Sequence, residues 1–380
     1  MTNQNTAERP TKITKKTLGF WQDFWRRQTI WAVRTKFWQK LGLGLLASVI
    51  LLIGSMYGIA QWYIRKNSDR PLVIGATFIP SYARKYGLDP KETLTAMVDD
   101  IGFKQIRLVS YWSDIEKEQG TYDFSELDWQ MKLAEDKGVR VNLSLGLRQP
   151  RWPECHMPNW AQSLKGTDWY QPLETFIAKT VERYRDSPAL QSYQLENEYF
   201  LKGFGICTDM SRDRLVSEFN RVKSLDSKTP LIVTLSNNAI GMPVGEPTPD
   251  QWGVSIYKRV WDAKLTKRYF EYPIPAWYYA FRAGFIETVR GKSMIVHELQ
   301  AEAWTPPQYG DTVNAPIQEQ YKSFSPDMLK ERIEYGRATG MKSIDLWGPE
   351  WWYWLKTKQN APEIWDNAQA EIQRISEENQ

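Results

Sequence analysis

The sequence has few of the residues that bind transition metals: its 380 residues include only two cysteines and two histidines. Cys155, Cys207, His156 and His297 make a poor supply of ligands for a zinc site. The first strand-like segment is not followed by a glycine-rich nucleotide loop, which argues against a dinucleotide-binding fold. No short-period repeat is present. Apolar residues (42%) and charged residues (25%) occur as in an ordinary globular protein with a sizeable core.

Charge is also missing from one long stretch, between Leu41 and Tyr63. This apolar run has about the length that a helix needs to cross the hydrocarbon core of a membrane. Trp62 and Tyr63 stand at its far end, and Trp38 and Lys40 at its near end, as interfacial anchors do. The sequence therefore predicts a transmembrane helix at 41–63. A cleaved signal peptide, with Gly58-Ile59-Ala60 as a poor cleavage site, is the competing interpretation.

The basic residues are concentrated before this segment. Residues 1–40 contain nine Lys and Arg against two acids, which is +7, so the rest of the +4 chain carries 4 − 7 = −3. The positive-inside rule then places residues 1–40 in the cytoplasm and everything after Tyr63 outside the cell membrane. Residues 64–71 would be a linker and 72–380 the main domain. Because the basic excess belongs to the tail, we expect no nucleic-acid partner.

The basic tail is also rich in aromatic residues. They fall roughly on one side of a helical projection, as in a helix that lies in the cytoplasmic headgroup layer. A disordered basic tail that only sets the topology is the alternative, and both remain open. The aromatic residues concerned are Phe20, Trp21, Phe24, Trp25, Trp31 and Trp38, and Leu18 falls on the same side.

Beyond residue 70, strand-like and helix-like segments alternate, which is typical of a parallel sheet. Their number and the length of the segment predict a (β/α)8 TIM barrel, with an open doubly wound sheet as the alternative. Helices are expected from Asp89-Pro90, over 125–137, 168–185, 211–225, 277–290 and 326–338, and from Ala361-Pro362. The predicted strands are 72–78, 105–109, 139–145, 190–195, 231–235, 253–256, 293–296 and 343–346.

Two glutamates follow strand-like runs of this barrel. Glu198 comes after the fourth strand and is preceded by Asn197, and Glu298 comes after the seventh, preceded by His297. Reactive groups of a TIM barrel gather at the carboxyl ends of its strands. Two carboxylates from different strands are the minimum equipment for cutting a glycosidic bond. Glu196 and Glu302 are the nearby rivals.

Other polar and aromatic residues are expected at the same face of the barrel. Strand two ends near Arg107 and runs into Tyr111-Trp112, and strand six ends in Tyr257. Further groups are Arg148–Pro153 after strand three, Asn237-Asn238 after strand five and Trp347–Trp352 after strand eight.

Two of these segments resemble known families. Residues 106–128 are similar to the second-strand region of family 42 β-galactosidases. Glu196-Asn197-Glu198-Tyr199 is similar to the acid/base motif of family 35 β-galactosidases. Over about residues 72–350 the chain resembles the retaining (β/α)8 glycoside hydrolases of clan A, which also include the family 5 glycanases.

The resemblance implies roles for individual residues. Glu198 would be the general acid/base and Glu298 the nucleophile. Arg107 would steady the nucleophile, and Asn197 would bind a sugar hydroxyl. Tyr257, Trp347, Trp112 and Trp152 would complete the substrate site, with Trp347 as its floor. Arg107 would lower the pKa of Glu298, and the charge of Glu298 would keep Glu198 protonated. No metal and no organic cofactor is required.

Tryptophans are frequent in the predicted loops. Their flat faces suit the apolar face of a pyranose ring, but each could equally be a core residue. The loop tryptophans are Trp112, Trp152, Trp160, Trp304, Trp347, Trp351 and Trp352, whereas Trp129 and Trp365 on helices are expected to pack in the core.

Cys155 lies in the loop after strand three and Cys207 in the loop after strand four. Loops of neighbouring strands at one barrel face can bring two cysteines into bonding range, and an oxidising exterior permits a disulfide. We therefore predict a Cys155–Cys207 disulfide, with two free thiols as the alternative.

Taken together, these patterns predict a membrane-anchored, extracytoplasmic retaining glycosidase acting on an oligo- or polysaccharide, expected to be β-linked, with the lipid bilayer as a partner of residues 41–63. A non-catalytic carbohydrate-binding barrel, and a transglycosylase that uses the same two carboxylates, are the alternatives.

Overall fold

The computed structural model describes residues 15–207, 209–237 and 242–379. The chain divides between Gly58 and Ile59 into two compact units. The first is formed by a helix that begins at Lys15 and continues to Lys66 in the second unit. Among the described residues, this is the one helix long and apolar enough to cross a membrane, judged by length and composition alone.

The last turns of the long helix belong to the second unit. Ala60 and Tyr63 are buried there, and Gly284 lies so close to Ile59 and Tyr63 that an added Cβ would be 3.0 Å from either side chain. The helix therefore runs on through Lys66, into residues expected to be a linker. Burial of Tyr63 and a hydrogen bond from Asn67 Nδ2 to the Tyr63 carbonyl (2.9 Å) account for this difference.

The second unit contains a closed barrel of eight parallel strands, which confirms the predicted TIM barrel. Each strand pairs with the next along the chain, and the last pairs with the first. The strands are almost entirely buried, as expected for a parallel sheet covered by helices. They are β1 Val73–Phe78, β2 Gln105–Val109, β3 Arg140–Leu145, β4 Leu190–Leu195, β5 Leu231–Leu235, β6 Gln251–Ile256, β7 Ser293–Gln300 and β8 Ser343–Trp347.

The predicted helices between the strands are present, and their ends follow from the sequence. Asp89 caps the helix Pro90–Ala96 by accepting a hydrogen bond from the Glu92 amide (2.8 Å). Gly138 ends the helix Ser125–Lys137 in the left-handed conformation (φ 62°). The other long helices are Tyr170–Tyr184, Arg212–Leu225, Ala276–Arg290, Pro326–Arg337 and Glu363–Glu378.

Short elements that were not predicted complete the unit. An antiparallel hairpin pairs Arg259–Asp262 with Arg268–Glu271 after β6. A short helix, Pro80–Lys85, follows β1. The remaining ones are a π-helical turn at Met97–Ile101, one-turn helices at Trp112–Ile115, Asn159–Gln162 and Ile317–Gln320, and 3-10 turns at Pro307–Tyr309 and Thr312–Asn314.

The segment after β8 differs from the expected loop, because it forms the helix Pro349–Lys358. Trp351 and Trp352 are completely buried in it. The indole of Trp351 donates to Gln320 Oε1 (2.5 Å) and that of Trp352 to the Ala301 carbonyl (2.6 Å). These two tryptophans belong to the core and offer no face to a sugar.

Candidate active site

Arg107 and Glu298 form an ion pair inside the barrel. Arg107 lies in the middle of β2 and is completely buried, and Glu298 on β7 is 4% exposed. Arg107 Nη1 donates to Glu298 Oε1 (2.8 Å). The pair joins strands that are not neighbours in the barrel, so the two side chains meet across its interior.

Tyr257, directly after β6, holds the other oxygen of the same carboxylate. Its hydroxyl donates to Glu298 Oε2 (2.8 Å). Each oxygen of Glu298 therefore has one strong donor, and the carboxylate is fixed in orientation. Hydrogen bonds to a charged carboxylate are shorter and stronger than those between neutral groups.

Asn197 and Glu198 lie just beyond β4 and reach the same place. Asn197 Oδ1 accepts from Arg107 Nη2 (2.9 Å) and from Gln194 Nε2 (3.0 Å). Glu198 takes the left-handed backbone conformation (φ 44°), and its amide donates to Thr234 Oγ1 on β5 (2.8 Å). One guanidinium thus links the residues after β4 to β7.

The electrostatic environment of the site raises the pKa values of Glu198 and Tyr257. Burial, with additions from the charges of Glu298 and Glu154, raises the pKa of Glu198 to about 8. Burial also raises the pKa of Tyr257 well above its usual range, and the charges of Glu298 and Glu198 add to the rise. Burial and the charge of Glu298 thus act in the same sense on Glu198 and on Tyr257, so Glu198 holds its proton to a higher pH than an ordinary glutamate does.

The rival Glu196 has a structural environment instead. It is completely buried, accepts the backbone amides of Leu147 and Arg148 (2.8 Å each), and pairs with Arg214 Nη1 (2.9 Å). Gly146 gives this carboxylate its space, since a Cβ there would lie 2.5 Å from Glu196 Oε1. Glu196 therefore ties the loop after β3 to β4 and to the helix that bears Arg214.

The rival Glu302 is also fully engaged. Arg151 binds it with two hydrogen bonds, Nη1 to Oε1 (3.2 Å) and Nη2 to Oε2 (2.9 Å), and the Tyr82 hydroxyl donates to Oε1. The Arg151 guanidinium lies over the Tyr82 ring (3.4 Å to its centroid) and over Trp347 (4.3 Å). Trp347, which was expected to form the floor of the sugar site, is only 7% exposed, because the Arg151 guanidinium covers its ring.

The other predicted tryptophans divide into core and rim. Trp112 is completely buried, packs on Trp160 and Phe176, and donates to Glu116 Oε2 (2.6 Å). The prediction of Trp112 as a substrate-binding residue is therefore wrong, because the one-turn helix it starts directs the ring into the core. Trp152 is 60% exposed and stands at the rim against Phe204.

Remaining candidates lie close to the cluster without joining it. His297 is buried, with Nδ1 2.8 Å from Asp345 Oδ2. Asn237 Nδ2 donates to the Tyr257 carbonyl (3.2 Å), and Asn238 lies outside the described residues. Trp304 packs edge-on against Tyr257, with ring centroids 5.7 Å apart. Within the described ranges, no group of three or more His, Cys, Asp or Glu could hold a metal ion.

One residue of the loop after β3, Glu154, was missed from the sequence, whereas its partner Arg148 belongs to the group Arg148–Pro153 that was expected at this face. Glu154 and Arg148 are buried; Asn197 Nδ2 donates to Glu154 Oε2 (3.1 Å), and Arg148 Nε lies 3.6 Å from the same oxygen. Cys155, which follows Glu154, forms a disulfide with Cys207. The predicted disulfide is therefore present, and it joins the loop after β3 to the loop after β4. An acidic residue beside a loop cysteine was the available signal.

Comparisons with known proteins point to sugar-cleaving enzymes. No family model matches the sequence. The chain is similar to the β-galactosidase Bga of Halorubrum lacusprofundi (23% identity over 144 residues, 33% of this chain) and to mannan endo-1,4-β-mannosidase A of Podospora anserina (26% over 156 residues, 39% of this chain). It spans only 20% and 39% of the lengths of these two relatives.

Among solved structures, the β-galactosidase of the Antarctic haloarchaeon H. lacusprofundi superimposes with a TM-score of 0.50 and 13% identity, over 80% of this chain and 58% of that one. This likeness supports the barrel fold. Together with the sequence matches, it confirms the predicted resemblance to (β/α)8 glycoside hydrolases.

Proposed function

We propose that the protein is a retaining glycosidase in which Glu298 is the nucleophile and Glu198 the general acid/base. One observation carries the proposal. A carboxylate held by Arg107 and Tyr257 lies within electrostatic reach of a second carboxyl, Glu198, whose pKa is raised by burial and by the charge of Glu298. That combination is what double displacement at an anomeric carbon requires.

In the first step, a Glu298 oxygen attacks the anomeric carbon while Glu198 gives its proton to the leaving glycosidic oxygen. The bond to the aglycone breaks and a covalent glycosyl–enzyme ester forms. Loss of the charge on Glu298 lowers the pKa of Glu198, because a like charge has disappeared. Glu198 can then take a proton from water, whose oxygen attacks the same carbon and releases Glu298.

The neighbouring side chains fit supporting roles. Arg107 bonds both Glu298 and Asn197 and so couples the nucleophile to the sugar-binding amide. Asn197 would hydrogen-bond a hydroxyl next to the anomeric centre, and Tyr257 would orient Glu298. Trp152, exposed at the rim, and the Arg151–Trp347 stack would contact further parts of the saccharide.

The substrate is proposed to be a β-linked oligo- or polysaccharide. The two relatives are a β-galactosidase and a mannan endo-1,4-β-mannosidase, enzymes named for action on β-linked sugars. A panel of fluorogenic β-glycosides, followed by trapping with the matched 2-deoxy-2-fluoro sugar, tests sugar and mechanism together. A labelled peptide containing Glu298 is expected. Labelling of Glu302, or formation of the inverted anomer, would contradict the proposal, and acceptor sugars added to the assay would reveal transglycosylation.

The protein is further proposed to be anchored in the cell membrane by residues 41–63, with its N-terminus in the cytoplasm and its barrel outside. The apolar helix and the basic residues before it support this topology. Protease added to intact cells should remove the barrel and spare the N-terminal segment. A mature protein that begins after Ala60 would instead indicate a cleaved signal peptide.

A further inference from the structure

Glu154 is placed in the reaction centre by a loop with an unusual backbone. Its backbone has the left-handed conformation (φ 72°), and so has that of Arg151 (φ 82°). Residues other than glycine rarely adopt this conformation. The Glu154 amide donates to the Arg151 carbonyl, and its carbonyl accepts from the Gln149 amide (2.8 Å each). These bonds close a tight turn whose apex carries the acid inward.

The loop after β4 supports the same side chain from behind. Gly205 is so close that a Cβ there would lie 2.7 Å from the Glu154 Cβ. The Ile206 amide donates to the Pro153 carbonyl (2.9 Å), and the adjacent Cys155 is bonded to Cys207. Two loops are therefore joined around a carboxyl that is 5% exposed. Burial of a carboxyl is costly unless its bonds offset the loss of water.

This carboxyl contacts Asn197 of the proposed machinery and the buried Arg148 of its own loop. Its Oε2 accepts from Asn197 Nδ2 (3.1 Å). Arg148 Nε lies 3.6 Å from the same oxygen and donates to no acceptor in the described part of the chain. The charged groups that face Glu154 are Arg148, Arg107 and Glu298, and its own charge acts on Glu198.

We propose that Glu154 is a positioning residue of the active site: it orients Asn197 by a hydrogen bond, and its negative charge keeps the proton on Glu198. This inference rests on the proposed function. Esterification of Glu298 removes a like charge and so lowers the pKa of Glu154. Glu154 is then charged, and Glu198 would be a stronger base for water in the second step than it would be alone. The three carboxyls share protons and titrate as a set, and burial with the charge of Glu298 raises the pKa of Glu154 itself to about 7.

Glu154→Gln separates the two parts of this role. Glutamine keeps the acceptor for Asn197 and the volume but removes the charge, so the alkaline limb of kcat/KM should move to lower pH by about 0.5 unit or more. Glu154→Ala also removes the acceptor for Asn197 and should in addition raise KM. Glu350→Gln is the matched control: Glu350 is equally buried, with a pKa raised to about 7 mainly by burial, but it bonds the Ile79 amide (2.6 Å). This variant should leave the alkaline limb in place.

A second measurement does not depend on activity. The side-chain carboxyls of the full chain, labelled with carbon-13 at Glu Cδ and held in detergent, are titrated by NMR, with Glu198→Gln assigning the resonance of Glu198. A lower Glu198 midpoint in Glu154→Gln supports the proposal, even if no glycoside is cleaved and the proposed function fails. An unchanged midpoint and pH profile in a folded, active Glu154→Gln protein would overturn it and leave Glu154 a loop residue only.

Discussion

Glu298 and Glu302 stand four residues apart on one segment, and each is held by one arginine and one tyrosine. Their bonding nevertheless differs. Arg107 and Tyr257 each donate to a different oxygen of Glu298. Arg151 instead donates to both oxygens of Glu302, and Tyr82 adds a second hydrogen bond to one of them. The acid within the field of Glu298 is Glu198, whereas the acid within the field of Glu302 is Glu350, which accepts a hydrogen bond from the Ile79 amide.

The comparison teaches that the count of partners matters less than their distribution. A carboxylate oxygen offers two lone pairs, so single donors on Glu298 orient it and leave capacity for attack on carbon. The bidentate arrangement on Glu302 uses the strongest geometry available to arginine and forms a clamp. We interpret Arg151, Glu302 and Tyr82 as support for Trp347 and for the part of the site that follows β1. We interpret Arg107, Glu298 and Tyr257 as the reactive centre.

Replacement of the two glutamates should give the largest contrast. Glu298→Gln removes the proposed nucleophile and should lower kcat/KM on the order of 10⁴-fold or more. Glu302→Gln should retain activity within about tenfold but unfold several degrees earlier, because it leaves Arg151 unpaired. Steady-state kinetics and thermal melts of both variants test this. Equal losses of activity would erase the distinction between the two carboxylates.

Replacement of the general acid should depend on the leaving group. Glu198→Gln should cost about 10²–10⁴-fold with alkyl glycosides, whose leaving oxygen needs a proton. Aryl glycosides with acidic phenols should lose much less in the first step and should accumulate the glycosyl–enzyme. Burst kinetics and intact-protein mass measure this. Glu196→Gln is the structural counterpart. It should lower the melting temperature of the protein, and any loss of activity should be the same for alkyl and aryl glycosides.

The arginines should differ less than the glutamates. Lysine cannot reproduce a fork that contacts two groups, so Arg107→Lys should release Asn197 or Glu298 and lower kcat/KM by about 10²–10³-fold. Arg151→Lys should affect KM and melting temperature more than kcat. Rescue of kcat in Arg107→Lys by added guanidinium would sharpen the assignment, and a larger kcat loss in Arg151→Lys than in Arg107→Lys would reverse it.

The tyrosines test the same contrast with a single oxygen atom. A hydrogen bond to a charged group contributes about 1.5–3 kcal/mol, so Tyr257→Phe should reduce kcat/KM by about 10–100-fold. Tyr82→Phe should change kcat/KM by less than about threefold by the same scale of argument, since Arg151 still holds Glu302. Matched kinetics on one aryl glycoside settle the point.

The smallest effect concerns the pH dependence of stability. Burial raises the pKa of Glu198 to about 8 and that of Glu350 to about 7. A raised carboxyl pKa means that the fold prefers the protonated form, so this stability is fully present below the unfolded pKa and is lost as pH rises through the folded pKa. Each glutamine variant should therefore match wild type near pH 4 and gain melting temperature progressively above the unfolded pKa of about 4.3. The gain should level off at about pH 7 for Glu350→Gln and at about pH 8 for Glu198→Gln.

Much of this arrangement was predictable because it follows from regular elements. The apolar runs indicated all eight strands, and a strand fixes where Arg107, Asn197 and Glu298 stand around the barrel. Arg151 and Glu154 come instead from a loop in which both have positive φ, so their directions depend on contacts with other loops. The burial of Trp112 and Trp351 likewise depends on short helices without a clear sequence period.

Because Cys155 and Cys207 form a disulfide, the joining of their two loops depends on the redox state of the compartment. Cytosolic thiols are kept reduced, so a newly made chain would hold Trp152 and Glu154 on loops that are not yet joined. Under the proposed topology, the two loops would be joined only after translocation into an oxidising compartment.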